Sequence, residues 1–174
     1  MAKAIVVMGV SGCGKTSVAE GIAAALRVGF IEGDLLHPAA NVEKMSRGVP
    51  LTDEDRWPWL DAIGREMGDA LGKGQGIVVS CSSLRKAYRD RLRQAAGGGD
   101  VAFVFLKGSR ELLLERMRAR KNHFMPVNLL DSQLATLEDP SNEPGVVVVD
   151  IAPPIATIID ESLHRLQRLD RLPR

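Results

Sequence analysis

The sequence is short of several features that would place it in a specialised class. It has two cysteines in 174 residues, which is too few for a disulfide framework. No apolar run approaches the roughly 20 residues that a membrane-spanning helix needs. The net charge is +1, so no excess charge favours nucleic acid or a membrane surface. The first three residues lead directly into an apolar run, so we expect no signal peptide and a cytoplasmic location.

The overall composition is that of an ordinary globular protein. Hydrophobic residues make up 45% and charged residues 26% of the chain. A chain of 174 residues can bury one substantial core but is too short for two comfortable domains. We therefore predict a single domain over residues 1–174.

Short apolar runs alternate with stretches of helical periodicity along the chain. Most runs are nearly continuous in apolar residues, which is typical of strands that helices cover on both faces of a parallel sheet. The predicted strands are Ala4–Met8, Gly29–Glu32, Ile77–Cys81, Val101–Leu106 and Val146–Asp150. The predicted helices are Lys15–Leu26, Asp53–Leu71, Leu84–Ala95, Arg110–Arg120 and about Pro154–Leu169. This alternation predicts an α/β fold with right-handed crossovers.

A glycine-rich motif follows the first predicted strand directly. It matches the pattern of glycine, four residues, glycine, lysine and threonine, and consists of Gly9, Val10, Ser11, Gly12, Cys13, Gly14, Lys15 and Thr16. Glycines allow a tight turn whose N–H groups point inward and bind phosphate oxygens. Lys15 would contact the β and γ phosphates, and Thr16 would offer its hydroxyl to Mg²⁺. The alternative is a turn that binds nothing, but the flanking strand and helix favour a nucleoside triphosphate site.

Two carboxylates lie where the second predicted strand ends, at the sheet edge where open parallel sheets bind ligands. We predict that Asp34 aligns an attacking hydroxyl or accepts its proton. Glu32 is expected to point the other way and to support the metal through water. Both could instead be solvated loop acids, which is the usual state of surface carboxylates.

A long segment over about residues 33–71 exceeds what a bare connection requires, and such insertions tend to carry function. It contains His37, Lys44 and Arg56, which together could hold a carboxylate or a polyol. Arginine suits a carboxylate because its planar fork donates two parallel hydrogen bonds. Taken singly, each of these residues is typical of a solvated surface charge.

A second long segment carries a basic run at the end of a predicted helix. We predict a lid over about residues 116–130, in which Arg116 stacks on the base of the nucleotide and Arg120 reaches the transferred phosphate. The simpler alternative is that these cations only interact favourably with the dipole of their helix.

The third predicted strand lacks the acid that supports Mg²⁺ in many phosphate-loop proteins, since it ends in Ser80 and Cys81. Asp150 ends an apolar strand in the expected way, but that strand comes last in the chain and leads into two prolines. We interpret Asp150 as the end of an ordinary strand.

Several segments together resemble the gluconokinases, a family of small phosphate-loop kinases. The matching pieces cover nearly the whole chain in order; the most specific are GDLLHPAAN (33–41), PLTDEDRWPWL (50–60), CSSLRKAYRD (81–90) and RARKNHF (118–124). The phosphate loop itself is generic, so these other segments carry the resemblance.

The resemblance implies phosphorylation of D-gluconate at its 6-hydroxyl by ATP with Mg²⁺. It also implies a three-layer fold with a five-stranded parallel sheet of order 2-3-1-4-5, a lid and a homodimer. Gluconate would lie between the Asp34–Arg56 segment and two residues behind the third strand, Lys86 and Arg89. The alternatives are a kinase for another small hydroxy acid such as shikimate and a nucleotide-binding switch without catalysis.

Overall fold

Five parallel strands form a single sheet in the computed structural model, which describes residues 2–119 and 127–172. The strands are β1 (Ala4–Met8), β2 (Gly29–Glu32), β3 (Ile77–Ser80), β4 (Val101–Lys107) and β5 (Val146–Asp150). Their order is β2-β3-β1-β4-β5, and every neighbouring pair is parallel, which confirms the order that the resemblance implies. The ends of β1, β2 and β3 therefore meet at one carboxyl edge of the sheet.

Helices cover both faces of the sheet. Within the described residues they are α1 (Lys15–Leu26), α2 (Ala39–Ser46), α3 (Asp53–Gly72), α4 (Lys86–Ala95), α5 (Arg110–Ala119), α6 (Val127–Thr136) and α7 (Ile155–Asp170). The sequence predicts all of these except α2 and α6. Both are short, and each fully buries one residue, Asn41 in α2 and Leu130 in α6, so neither has the apolar stripe that reveals a helix.

The sheet divides the hydrophobic core into two layers. Ile5 and Val7 of β1 belong to the layer under α1 and α7, whereas Val6 and Met8 belong to the layer under α3 and α4. Full burial of each such side chain contributes about 1.5–3 kcal/mol. The central strand is thus anchored from both sides, and it fixes the starting point of the loop that follows it.

None of the described helices combines the length and the apolar character that crossing a membrane would require.

Candidate active site

The glycine-rich loop connects the end of β1 to the start of α1. Gly9, Gly12 and Gly14 have φ angles of 147°, 84° and 90°, a region that residues with a side chain rarely adopt. Gly12 also packs closely on α5, because an added Cβ would lie 2.7 Å from Met117 Cγ. Gly14 caps α1 without a side-chain hydrogen bond, so the N–H groups of the first turn stay available to an anion.

The ammonium group of Lys15 lies over this loop. Its Nζ donates a hydrogen bond to the carbonyl oxygen of Val10 at 3.2 Å and is 4.0 Å from the Sγ of buried Cys13. Lys15 is thus held against the backbone of the loop. The loop therefore presents one mobile charge and several fixed dipoles to a phosphate chain.

Thr16, Glu32 and Ser80 form a chain of hydrogen bonds beside the loop. The hydroxyl of Thr16 donates to Glu32 Oε2 at 2.8 Å, and the hydroxyl of Ser80 donates to Glu32 Oε1 at 2.9 Å. Glu32 and Ser80 are paired in register across β2 and β3. Glu32 thus lies beside Thr16, the residue predicted to hold Mg²⁺, and its support of the metal through water stays a prediction.

Asp34 follows Glu32 in a short 3-10 turn, Gly33–Leu36. Gly33 allows this turn to approach β3, since a Cβ there would lie 2.3 Å from the carbonyl oxygen of Ser80. The indole of buried Trp59 donates a hydrogen bond to the Gly33 carbonyl at 2.8 Å and so ties the turn to α3. The backbone directly before Asp34 is thus held against both β3 and α3.

The electrostatic environment of Cys81 links Asp34 to the phosphate loop. Burial raises the pKa of the Cys81 thiol to about 11, and the negative charge of Asp34 acts in the same direction. The positive charge of Lys15 acts on the same thiol in the opposite direction. Asp34 and Lys15 therefore both lie near enough to buried Cys81, at the end of β3, to influence its thiol.

His37 lies on the Asp34 side of this edge. Its ring stacks on Trp59 with the centroids 4.0 Å apart. The pKa of His37 is lowered overall, mainly because the ring is partly buried. The charge of Asp34 opposes this shift, and the charge of Arg56 adds to it. Asp34 and Arg56 therefore both lie near enough to His37 to influence its imidazole.

Lys44 has a different environment. Its Nζ is 2.7 Å from Asp55 Oδ2, and buried Asn41 donates to the carbonyl oxygen of the same Asp55 at 2.8 Å. These contacts join α2 to the start of α3. Lys44 is thus engaged in holding the segment together, and no contact within the described part of the chain places it beside Asp34.

Arg56 and Arg85 both lie near Tyr88. Their guanidinium carbons are 5.4 Å and 6.0 Å from the centre of the Tyr88 ring, and both are near Asp53, at 3.7 Å and 3.5 Å. Arg56 also donates to the Leu51 carbonyl at 2.8 Å. Sequence reasoning missed Arg85, although it stands directly before Lys86 in the segment CSSLRKAYRD.

The two residues predicted behind β3 are placed elsewhere. Arg89 is fully buried; it pairs with Glu143 and donates to the carbonyl oxygens of Ser83 and Glu138 at 2.8 Å and 2.9 Å. The prediction that it binds substrate is therefore corrected to a structural role. Lys86 is exposed, and its Nζ pairs with Asp90 one turn further along α4 at 2.6 Å.

Arg116 contacts the loop after β5. Its Nη2 lies 3.5 Å from the Ala152 carbonyl and 3.4 Å from the Pro153 carbonyl, which are long hydrogen bonds. Asp150 accepts from the backbone N–H of Ala152 at 3.0 Å and so orders its own turn, as expected of an ordinary strand end. The other lid prediction, Arg120, lies outside the described residues.

Comparison with known proteins gives a consistent result. Residues 5–140 match the family model of an AAA domain. The chain is 45% identical over 160 residues to the thermosensitive gluconokinase of Escherichia coli K12, covering 91% of this chain and 84% of that protein. It is also 45% identical over 168 residues to the gluconokinase of Gluconobacter oxydans, covering 95% and 92%.

A solved structure agrees with these sequence relatives. The crystal structure of a gluconokinase from Sinorhizobium meliloti 1021 superimposes with a TM-score of 0.88 at 56% identity, covering 96% of this chain and 93% of that one. The similarity thus extends over nearly the whole of this chain. The chain therefore belongs to the gluconokinase family of phosphate-loop kinases.

Proposed function

We propose that this protein transfers the γ-phosphate of ATP to the 6-hydroxyl of D-gluconate. The observation that carries the proposal is the hydrogen-bond chain of Thr16, Glu32 and Ser80, which joins the residue after Lys15 to the end of β2, two residues before Asp34. A carboxylate for the acceptor hydroxyl and a loop for the donor phosphates thus belong to the same sheet edge, which is what transfer to a hydroxyl requires.

The reaction needs positioning more than covalent chemistry. The loop N–H groups and Lys15 hold the triphosphate, while Asp34 aligns the acceptor hydroxyl and takes its proton. The hydroxyl oxygen forms a bond to the γ-phosphorus, the bond from that phosphorus to the bridging oxygen breaks, and ADP leaves with the electron pair. Holding both reactants in line lowers the entropic part of the barrier.

Thr16 and Glu32 would hold Mg²⁺. Their oxygens lie 2.8 Å apart and, with the hydroxyl of Ser80, form a set of hard oxygen donors, which is the kind that Mg²⁺ prefers. Glu32 thereby supplies from β2 the carboxylate that β3 lacks. When bound, Mg²⁺ neutralises negative charge on the β and γ phosphates.

The carboxylate of the acceptor would bind to Arg56 and Arg85. The two guanidinium groups lie 5.4 Å and 6.0 Å from the centre of the Tyr88 ring, and Asp53 is the acid that both approach. A second anionic partner between them would have charge-assisted hydrogen bonds available. His37 and Asp34 remain for hydroxyl groups at the other end of a linear sugar acid.

Thermal unfolding distinguishes gluconate as the acceptor from another hydroxy acid such as shikimate, and from a nucleotide switch without an acceptor. In the presence of ADP and Mg²⁺, gluconate at about 100 times its Kd should stabilise the fold by about 2.7 kcal/mol, which is a rise in Tm of roughly 5–10 °C. Shikimate at the same concentration should leave Tm within 1 °C, roughly the scatter of such a measurement. A shift with shikimate alone would favour another hydroxy acid, and no shift with either would favour a nucleotide switch.

A further inference from the structure

A glutamine outside the predicted site contacts the phosphate loop. Gln133 Oε1 accepts a hydrogen bond from the backbone N–H of Ser11 at 2.7 Å. Ser11 is the third residue of the glycine-rich motif, and Gln133 lies 122 residues later on α6. An amide oxygen on this N–H occupies one of the donors that line the loop.

The helix that carries Gln133 is anchored independently of this contact. Leu130 is fully buried in the core, and Asp131 pairs with Arg110 of α5 at 2.6 Å and 3.1 Å. Just beyond the helix, the backbone N–H of Glu138 donates to the Leu84 carbonyl at 2.8 Å, and its carbonyl accepts from buried Arg89. Gln133 is therefore presented to the loop by a fixed support.

The hydrogen bond fixes the orientation of the carboxamide. Only the oxygen of the group can accept from the Ser11 N–H, so the NH₂ group must point the other way. Within residues 2–119 and 127–172, this NH₂ group has no hydrogen-bond partner, and the side chain is partly exposed. Two N–H donors are thus held beside a loop built to bind phosphate.

We propose that Gln133 positions the terminal phosphate of ATP. Its oxygen holds the Ser11 N–H, and its NH₂ group donates to an oxygen of the γ-phosphate. N–H donors suit this task, because a terminal phosphate in transfer carries negative charge on its outer oxygens, which accept hydrogen bonds. The inference deepens the proposed function, since it concerns the donor half of the same site.

Binding of two nucleotides tests the role, because ADP lacks the phosphate that Gln133 is proposed to contact. Calorimetric titration of Gln133→Met with Mg²⁺ and β,γ-imido-ATP should show an affinity about 10- to 100-fold lower, the typical effect of a hydrogen bond to a charged group. Affinity for ADP should change less than about threefold, within the spread of such contributions. Gln94→Met, on an exposed position of α4, should leave both affinities unchanged.

A second variant separates the two halves of the carboxamide. Gln133→Glu keeps an oxygen for the Ser11 N–H but replaces the NH₂ donors by an oxygen. It should therefore also weaken the binding of imido-ATP more than the binding of ADP. If Gln133→Met does not fold by circular dichroism, the Glu variant decides alone. Equal effects on both nucleotides, or no effect on either, would overturn the proposal. Gluconate is absent throughout, so a failed gluconate assignment would not alter these results.

Discussion

At the level of single residues, the main feature of the site is that its carboxylate lies at the end of β2 and not at the end of β3. β3 ends in Ser80 where other phosphate-loop proteins have an aspartate, and Glu32 of β2 accepts hydrogen bonds from both Ser80 and Thr16. Strand pairing makes this possible, because Glu32 and Ser80 are direct neighbours in register. On the proposed assignment, Glu32 supplies from β2 the carboxylate that β3 lacks.

Replacement of Glu32 by glutamine should weaken the use of Mg²⁺. The variant keeps the shape of the side chain but loses the charge, and loss of a supporting carboxylate typically costs about 10- to 100-fold in metal affinity or activity. The Mg²⁺ concentration for half-maximal activity should rise by that factor. Glu20→Gln, on an exposed position of α1, is the matched control, and equal Mg²⁺ curves for both variants would contradict the assignment.

Replacement of Asp34 by asparagine should affect turnover far more than nucleotide binding. Proton transfer by a positioned side chain typically contributes about 10²- to 10⁴-fold, so kcat should fall by that range while the Kd for imido-ATP stays within about twofold. The comparison is with Asp69→Asn, an exposed position on α3. Full activity in Asp34→Asn would show that another group accepts the proton.

The sequence identifies candidate site residues by their chemical type, but it does not show which of their side chains packing buries and which it leaves exposed. The glycines, Lys15, Thr16 and Asp34 are recognisable because local spacing alone fixes their geometry. Arg85 and Arg89 are arginines of the same short segment, but their environments differ. Arg89 is buried and pairs with Glu143, whereas Arg85 is half exposed beside Tyr88. No periodicity in the sequence distinguishes the two.

At the level of elements, α3 and α4 approach each other closely enough to require glycine. An added Cβ at Gly64 would lie 2.2 Å from the Cβ of Ala95 and 2.9 Å from its carbonyl carbon. This contact fixes the helix that carries Arg56 and Trp59 against the helix that carries Tyr88. The strands, in contrast, were predictable at nearly their true bounds, because continuous apolar runs indicate them without reference to distant parts of the chain.

A pair of glycine variants in the same helix tests this packing. Gly64→Ala should lower the free energy of unfolding by about 1–3 kcal/mol, since overpacking outweighs the gain in helix propensity. At Gly72 nothing lies within 4 Å of an added Cβ, so Gly72→Ala should be neutral or stabilising by up to about 1 kcal/mol. Urea denaturation measures both, and a Gly64→Ala variant as stable as Gly72→Ala would contradict the close approach.

The junction of α2 and α3 should give the segment a measurable pH dependence. Asp55 accepts hydrogen bonds from Lys44 and from the backbone of Thr52, which lower its pKa to about 2 from an ordinary value of 3.8. A depressed pKa in the folded state means that the stabilisation is present above about pH 4 and is lost as the pH falls towards 2.

Thermal unfolding of Asp55→Asn across this range provides the measurement. The variant should have a lower Tm than the wild type at pH 6, and the difference should shrink between pH 4 and pH 2. Asp69→Asn again serves as the control, because Asp69 lies exposed on the same helix. A Tm difference that is constant from pH 6 to pH 2 would show that the Asp55 carboxylate does not stabilise the junction.

At the level of the whole molecule, one sheet edge collects the parts of the site from distant stretches of sequence. The loop follows β1, Glu32 ends β2 and Asp34 lies in the turn after it, Arg85 follows β3, and Gln133 lies on α6. The sequence pattern predicts the first two groups, since each follows a strand directly. The contribution of α6 depends on how the chain returns to the loop, and no local signal indicates it.

The homodimer that the family resemblance implies stays a prediction. Light scattering of the purified protein at several concentrations would test it, with a mass near 38 kDa expected from two chains of 18.9 kDa. A mass of one chain at all concentrations would contradict it.

The most direct measurement is the production of ADP from ATP and Mg²⁺ with D-gluconate as the acceptor, followed in a coupled assay. Phosphorus NMR of the product identifies the position of the new ester. We expect ADP release that depends on gluconate, a single phosphate monoester on the 6-oxygen, and no turnover with shikimate. Turnover with another acid but not with gluconate, or a phosphate ester at a different carbon, would contradict the proposed function.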